Sequence, residues 1–145
     1  MGLARMEEAL VPSTPRYWLY SGRQTAESYI TDTVRYMRPA GRGQYSTNLG
    51  TPMLRSGSIT GVAIEINIES LTVGGTMIAE IRKNDVVVFS ASKSVGATAF
   101  DNWSATQANG VDTFVAGDVI QMSLKGGAGV IMSIRPIIVC EVSFP

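Results

Sequence analysis

A two-residue alternation between Ser58 and Glu69 limits what this chain can fold into more than any other feature. Apolar side chains occupy every second position, and small or polar side chains lie between them: Val62, Ile64, Ile66 and Ile68 alternate with Ala63, Glu65, Asn67 and Glu69. Successive side chains of an extended strand point to opposite faces. The pattern therefore predicts a β-strand with one buried face and one solvated face.

The chain after residue 55 continues as short apolar stretches separated by turn residues. Besides 58–69, strands are predicted at 28–37, 76–83, 86–91, 111–115, 119–125, 130–134 and 137–144. Asn84-Asp85 predicts a two-residue hairpin, residues 92–110 a long polar loop, and Pro136 an edge, a bulge or a break. Turns about every ten residues, with no helices alternating between the strands, predict an all-β fold, a β-sandwich or jelly roll.

The N-terminal part differs from the rest in charge. Residues 1–55 contain seven arginines and four acidic residues, net +3, whereas residues 56–145 contain five basic and eight acidic residues, net −3. Pro12 and Pro15 favour extended backbone, and the helical spacing before them is too short for a helix that is stable alone. We therefore predict an extended N-terminal arm at 1–25 and one β-domain at 26–145.

The composition excludes most catalytic and metal chemistry. The 145 residues include no histidine and one cysteine, which removes imidazole bases and leaves one thiolate, too few for structural zinc. Cys140 falls on the apolar face of the last strand, which indicates a buried, inert thiol. Glu65 and Glu69 lie about 13 Å apart along one strand, too far for the carboxylate pair of a glycosidase. We predict no enzyme activity, no cofactor and no metal.

Charge and hydropathy also exclude two classes of partner. The chain has 12 basic and 12 acidic residues and an isoelectric point near 6.2, which argues against nucleic acid. No apolar stretch has the length of a membrane span. Arg5, Glu7 and Glu8 interrupt any secretory signal, so we expect synthesis in the cytoplasm.

Two interpretations of Trp103 remain open. It falls in the predicted polar loop, where an exposed tryptophan can stack on a sugar or anchor an interface. A tryptophan at this place can also close the open end of a sandwich.

The surface is expected to need neighbours. Charged residues make up 17% of the chain, against about 25% in an average soluble protein. The scarce lysines leave the edges of the predicted sheets weakly protected against pairing. We therefore expect a homo-oligomer, with a trimer favoured over a dimer.

Four segments resemble a recurrent pattern of phage proteins. They are RSGSITGV at 55–62, LTVGGT at 71–76, IRKNDV at 81–86 and FVAGDVI at 114–120. The pattern, with Asp85 where the hairpin usually has glycine, is similar to small jelly-roll modules of tailed-phage virions with TNF-like topology. These modules include capsid decoration (cement) proteins and fibre head domains. The resemblance implies a non-enzymatic virion component and covers about residues 55–125.

The expected function is that of a capsid decoration or cement protein on the capsid surface, assembled from cytoplasmic chains. Its arm is expected to bind the major capsid protein or another virion protein and so stabilise the head. The residues assigned to this contact are Arg5, Arg16, Tyr17, Trp18, Tyr20 and Arg23. The alternative is a fibre-tip module that binds a receptor or glycan, with Trp103 as a loop contact. A carboxylate-based glycosidase is a third interpretation.

Overall fold

In a computed structural model, two antiparallel β-sheets pack face to face, and the all-β sandwich predicted from the sequence is confirmed. The structure describes residues 15–22, 27–29, 34–39 and 49–145. Within these residues the strands are β1 (Arg16–Gly22), β2 (Glu27–Tyr29), β3 (Arg35–Tyr36), β4 (Arg38–Pro39), β5 (Thr51–Pro52), β6 (Gly57–Val73), β7 (Gly75–Lys83), β8 (Val86–Val95), β9 (Phe100–Thr106), β10 (Asp112–Phe114), β11 (Val119–Gly126) and β12 (Ile131–Ser143).

The strand order is that of a jelly roll. The first sheet runs β10-β6-β12-β1-β4, with β9 also paired to β6 and β2 to β12; the second runs β3-β11-β7-β8, with β5 paired to β11. Four antiparallel pairs are nested in the sequence: β1 with β12, β3 with β11, β6 with β9 and β7 with β8. Such nesting is what a long hairpin gives when it rolls up into two sheets.

The core lies between the sheets and is filled by the alternating apolar positions. In β6 the predicted inner residues Val62, Ile64, Ile66 and Ile68 are buried, whereas Ala63 and Glu65 on the other face are exposed. The second sheet contributes its own alternate positions to the same core, among them Met77, Ala79, Ile81, Ile120, Met122 and Leu124. Close packing of branched and thioether side chains from both inner faces holds the sandwich together.

The tight turn between β7 and β8 confirms the predicted hairpin. Asn84 and Asp85 have φ values of 50° and 70°, the left-handed backbone that a type I′ turn requires at both central positions. Asparagine and aspartate tolerate this conformation better than other residues with a β-carbon.

The last two predicted strands form one strand, β12, which continues through Pro136. Pro136 pairs with Ile66 of β6 on one side. On the other side of β12 the described partner strand changes at this point. Ile137 pairs with Gly22 of β1, and Ile134 pairs with Glu27 of β2. Proline has no N–H to donate to a neighbouring strand. Pro136 lies between the residues that pair with β1 and those that pair with β2, and it belongs to neither pairing.

Two other predicted boundaries differ from the structure. The predicted strand 28–37 contains β2 and β3 as separate short strands, and residues 30–33 between them lie outside the described part. The predicted loop 92–110 is wrong, because β8 continues to Val95 and β9 occupies Phe100–Thr106. Serine and threonine there masked an alternation in which β9 side chains are exposed and half-buried by turns.

Candidate partner-binding surface

Part of the predicted arm is a strand of the first sheet. Arg16–Gly22 pairs along its whole length with the last strand, from Arg16 opposite Ser143 to Gly22 opposite Ile137. The aromatic residues of this stretch favour extended backbone, and the edge of β12 offers the hydrogen bonds it needs. These residues therefore order on the chain's own C-terminal strand. Arg5 and Arg23, assigned to the same arm, lie outside the described residues.

The aromatic residues of β1 project to two different surfaces. Trp18 and Tyr20, 58% and 59% exposed, stand on the outer face of the first sheet, in register with Glu141 and Val139. Tyr17 points to the opposite side, where its ring lies 5.3 Å from that of Phe144 and remains 51% exposed. The predicted cluster is thus divided by the two-residue period of the strand.

Arg16 lies on the same outer face as Trp18 and forms an ion pair within the chain. Its Nη1 donates to Glu141 Oε1 at 3.2 Å, and Thr60 Oγ1 donates to the same oxygen at 2.8 Å. Glu141 is thereby held in a fixed orientation between two donors. The Arg16 side chain is still 63% exposed, so the contact with an acidic partner that the sequence suggests for it stays a prediction.

Tyr17 borders an apolar depression at one end of the sandwich, which we call the edge patch. It has a volume of about 460 Å³. Its walls come from β1, the segment before β6 and the C-terminal strand: Tyr17, Trp18, Leu19, Pro52, Met53, Leu54, Arg55, Val142 and Phe144. Leu54, one of the lining residues, is 91% exposed, so the patch presents an aliphatic side chain to solvent.

A second depression crosses the outer face of the first sheet, and we call it the outer groove. It consists of two adjoining hollows of about 120 and 290 Å³ that share Ala63, Ser104 and Val139. Gly61 and Ala63 of β6 form its floor, because one has no side chain and the other only a methyl group. Trp18 borders the smaller hollow.

Trp103 closes the sandwich instead of standing in a loop. It lies in β9, packs against the core cluster, and donates from Nε1 to the carbonyl of Ala91 at 3.1 Å. This contact ties β9 of the first sheet to β8 of the second. Of the two interpretations left open by the sequence, the structure favours the structural one.

Residues of two motif segments hold the fold together by hydrogen-bonding to each other. Asn84 Nδ2 donates to Asp118 Oδ1 at 2.7 Å, and the Val119 N–H donates to Asn84 Oδ1 at 2.9 Å. The Val115 N–H donates to Asp118 Oδ2 at 2.9 Å. The hydrogen bond from the Val115 backbone contributes most to lowering the pKa of Asp118, and the hydrogen bond from the Asn84 amide contributes next. The asparagine–aspartate hairpin and the glycine–aspartate turn are thus one structural unit.

The groups considered for catalysis are engaged in the fold or lie apart. Burial raises the pKa of the Cys140 thiol to about 12, so the nucleophilic thiolate is suppressed. Glu69 pairs with Arg135 at 2.6 Å. In the described part of the chain, Glu65 has no hydrogen-bond or ion-pair partner, and no group of three or more potential metal ligands occurs. No helix in that part is long and apolar enough to cross a membrane.

Comparison with known proteins assigns the chain to no family. No protein-family model matches the chain, and no curated protein matches it. Among solved structures it is similar to the crystal structure of FlhE, with 10% sequence identity and a TM-score of 0.45. That similarity covers 89% of this chain and 98% of the FlhE chain.

Proposed function

We propose that this protein is a non-catalytic virion component, a capsid decoration or cement protein that binds the capsid surface and stabilises the head. The observation that carries the proposal is the edge patch, where Leu54 and Tyr17 are exposed beside buried apolar walls. Exposed apolar surface of this kind marks an interaction site in soluble proteins. The motif resemblance to phage jelly-roll modules supplies the class of partner.

The edge patch offers a contact of useful strength. Burying a leucine side chain contributes roughly 2 kcal/mol, and each 1.4 kcal/mol changes a dissociation constant about tenfold. Arg55 at the rim of the patch is exposed, and it suits an acidic residue on the partner. If the protein is a homotrimer, three such patches act together and the weak individual contacts give high occupancy.

The geometry also changes how the N-terminal segment is best tested. Deleting residues 1–25 removes β1 and leaves Ile137–Ser143 of β12 unpaired on one edge, so loss of binding would then reflect damage to the sheet. A single substitution in the edge patch is a sharper test. Leu54→Asp puts a charge where an apolar contact is proposed, and its own exposure means that folding is unaffected.

The assay is cosedimentation of the purified protein with undecorated capsids of the phage that encodes it. We expect Leu54→Asp to lose binding by at least tenfold. Val86→Asp is the matched control, since Val86 is also exposed but lies in the β7–β8 hairpin, and it should bind as the wild type does. Full occupancy by the Leu54 variant refutes the patch, and absence of the protein from purified virions refutes the virion assignment.

A further inference from the structure

The outer groove has two unlike walls. Along β9, three hydrogen-bonding side chains occupy every second position, about 7 Å apart: Asn102, Ser104 and Thr106. The facing wall is aromatic and aliphatic, formed by Trp18, Ile137 and Val139. Between them Gly61 lies opposite Thr106, and Ala63 lies opposite Ser104. The floor is therefore low, and a ligand lying on it touches a polar wall on one side and an apolar wall on the other.

A fixed carboxylate borders the same groove. Glu141 lines its smaller hollow, with 19% of the side chain exposed. Arg16 and Thr60 donate to its Oε1 atom, and these two hydrogen bonds orient the carboxylate. The remaining lone pairs can accept hydrogen bonds from hydroxyl groups of a ligand without a rearrangement of the site.

Glu65 argues against a second copy of the chain as the occupant. It lines the larger hollow, is exposed, and has no partner among the described residues. In a two-fold contact centred on the larger hollow, the Glu65 side chains of the two copies would approach each other. Like charges that lose their solvent repel strongly. A ligand that brings hydroxyl donors satisfies the same carboxylate instead.

We propose that the outer groove binds a neutral carbohydrate chain. A pyranose ring has an apolar C–H face and an edge of hydroxyl groups, which match the Trp18 wall and the β9 wall. A shallow groove with a few placed polar groups and an aromatic side gives orientation and specificity without charge. The groove shares Trp18 with the edge patch and is otherwise lined by different residues, and the proposal does not rest on the capsid role.

The experiment follows the two indole N–H resonances of the chain by NMR during titration with neutral tetrasaccharides. Cellotetraose, chitotetraose and mannotetraose are the probes, and tetragalacturonate is the acidic comparison. We expect at least one neutral probe to shift the Trp18 resonance more than that of Trp103, which borders the larger hollow but whose N–H donates to the carbonyl of Ala91. Absence of a Trp18 shift with every neutral probe, or a stronger response to tetragalacturonate, overturns the proposal.

Groove variants locate the binding. Ala63→Leu raises the floor and is expected to abolish the shift, while Ser104→Ala removes one hydrogen bond and weakens binding about fivefold. Ser94→Ala is the matched control, an exposed strand serine on β8, and it should bind as the wild type does. Binding that survives Ala63→Leu overturns the site. Sedimentation that finds self-association abolished by Ala63→Leu, without carbohydrate binding, assigns the face to a second copy and also overturns the proposal.

Capsid cosedimentation separates this proposal from the proposed function. Leu54→Asp should keep carbohydrate binding and lose capsid binding, while Ala63→Leu should do the reverse. Loss of both activities in Leu54→Asp, with the fold intact by circular dichroism, contradicts two independent sites.

Discussion

Two glycines of the same strand should respond in opposite ways to the same substitution. In β6, a β-carbon added at Gly57 would lie 2.4 Å from the carbonyl oxygen of Ser143 and 2.7 Å from Cζ of the Phe114 ring. One added at Gly61 meets its nearest neighbour, the carbonyl oxygen of Ala105, at 3.4 Å. The first contact is a collision and the second is ordinary packing. Gly57→Ala and Gly61→Ala therefore form a matched pair.

The cost at Gly57 follows from what must move. Phe114 is fully buried and its ring contacts Phe144 edge to face at 5.8 Å. The backbone of Ser143 is part of the β6–β12 ladder. Neither can shift freely, so we expect an overpacking cost of about 1–3 kcal/mol. Gly61→Ala is expected to leave stability unchanged or raise it by roughly 0.4–1 kcal/mol, because alanine restricts the unfolded chain.

The assay is equilibrium unfolding in urea, followed by tryptophan fluorescence and far-ultraviolet circular dichroism. With a slope of about 2 kcal/mol per M, Gly57→Ala should lower the midpoint by roughly 0.5–1.5 M at an unchanged slope. Gly61→Ala should have the wild-type midpoint or a slightly higher one. Equal midpoints for the two variants would refute the steric argument, and so would a Gly61 variant that is the less stable of the two.

Three further outcomes are expected. The pKa of Asp118 in the folded protein lies below its ordinary value of 3.8, so the ionised carboxylate stabilises the fold above that pH, and this contribution is lost as the pH falls through the folded value. The wild type should therefore have a higher urea midpoint than Asp118→Asn at neutral pH, and the difference should close on acidification. A difference that does not depend on pH contradicts this. Glu80 is buried and accepts hydrogen bonds from Arg82 at 2.7 Å and from Ser123 at 2.9 Å. Glu80→Ala should lower the free energy of unfolding by about 3–5 kcal/mol, because the mostly buried Arg82 loses its carboxylate partner. A loss below 1 kcal/mol in calorimetry or urea unfolding contradicts this. Cys140 should react with a thiol reagent at pH 8 only when urea unfolds the chain, since its pKa is raised to about 12, and rapid labelling of the folded protein would show that the thiol is accessible.

Sequence periodicity was sufficient for the parts of the fold that depend on neighbouring residues. The alternation in β6, the inner faces of β7 and β11, the asparagine–aspartate hairpin and the buried Cys140 were all predicted correctly. Each depends on a period of two or on a local backbone preference. The prediction of a loop at 92–110 failed because the exposed face of β9 consists of polar residues, which are also typical of loops.

The candidate sites could be predicted only in part. The sequence identified Arg16, Tyr17, Trp18 and Tyr20 as a cluster, and all four lie in one described strand. It gave no sign that Tyr17 lines only the edge patch while Trp18 borders both that patch and the outer groove, or that Glu141 pairs with Arg16. Leu54 was missed, because a single leucine between Met53 and Arg55 carries no local signal of exposure.

Local sequence patterns were sufficient for most of the strands, for their inner faces and for the tight turn, because those follow from side chains a few positions apart. Tertiary structure alone decided that the first described strand pairs with the last, that Pro136 stands inside a continuous strand, and that two glycines of β6 have different surroundings. These features join residues that are far apart in the sequence, from Gly61 and Ala105 in one strand pair to Arg16 and Glu141, which are 125 positions apart. Their contacts depend on sheet order and register, and no local pattern encodes either.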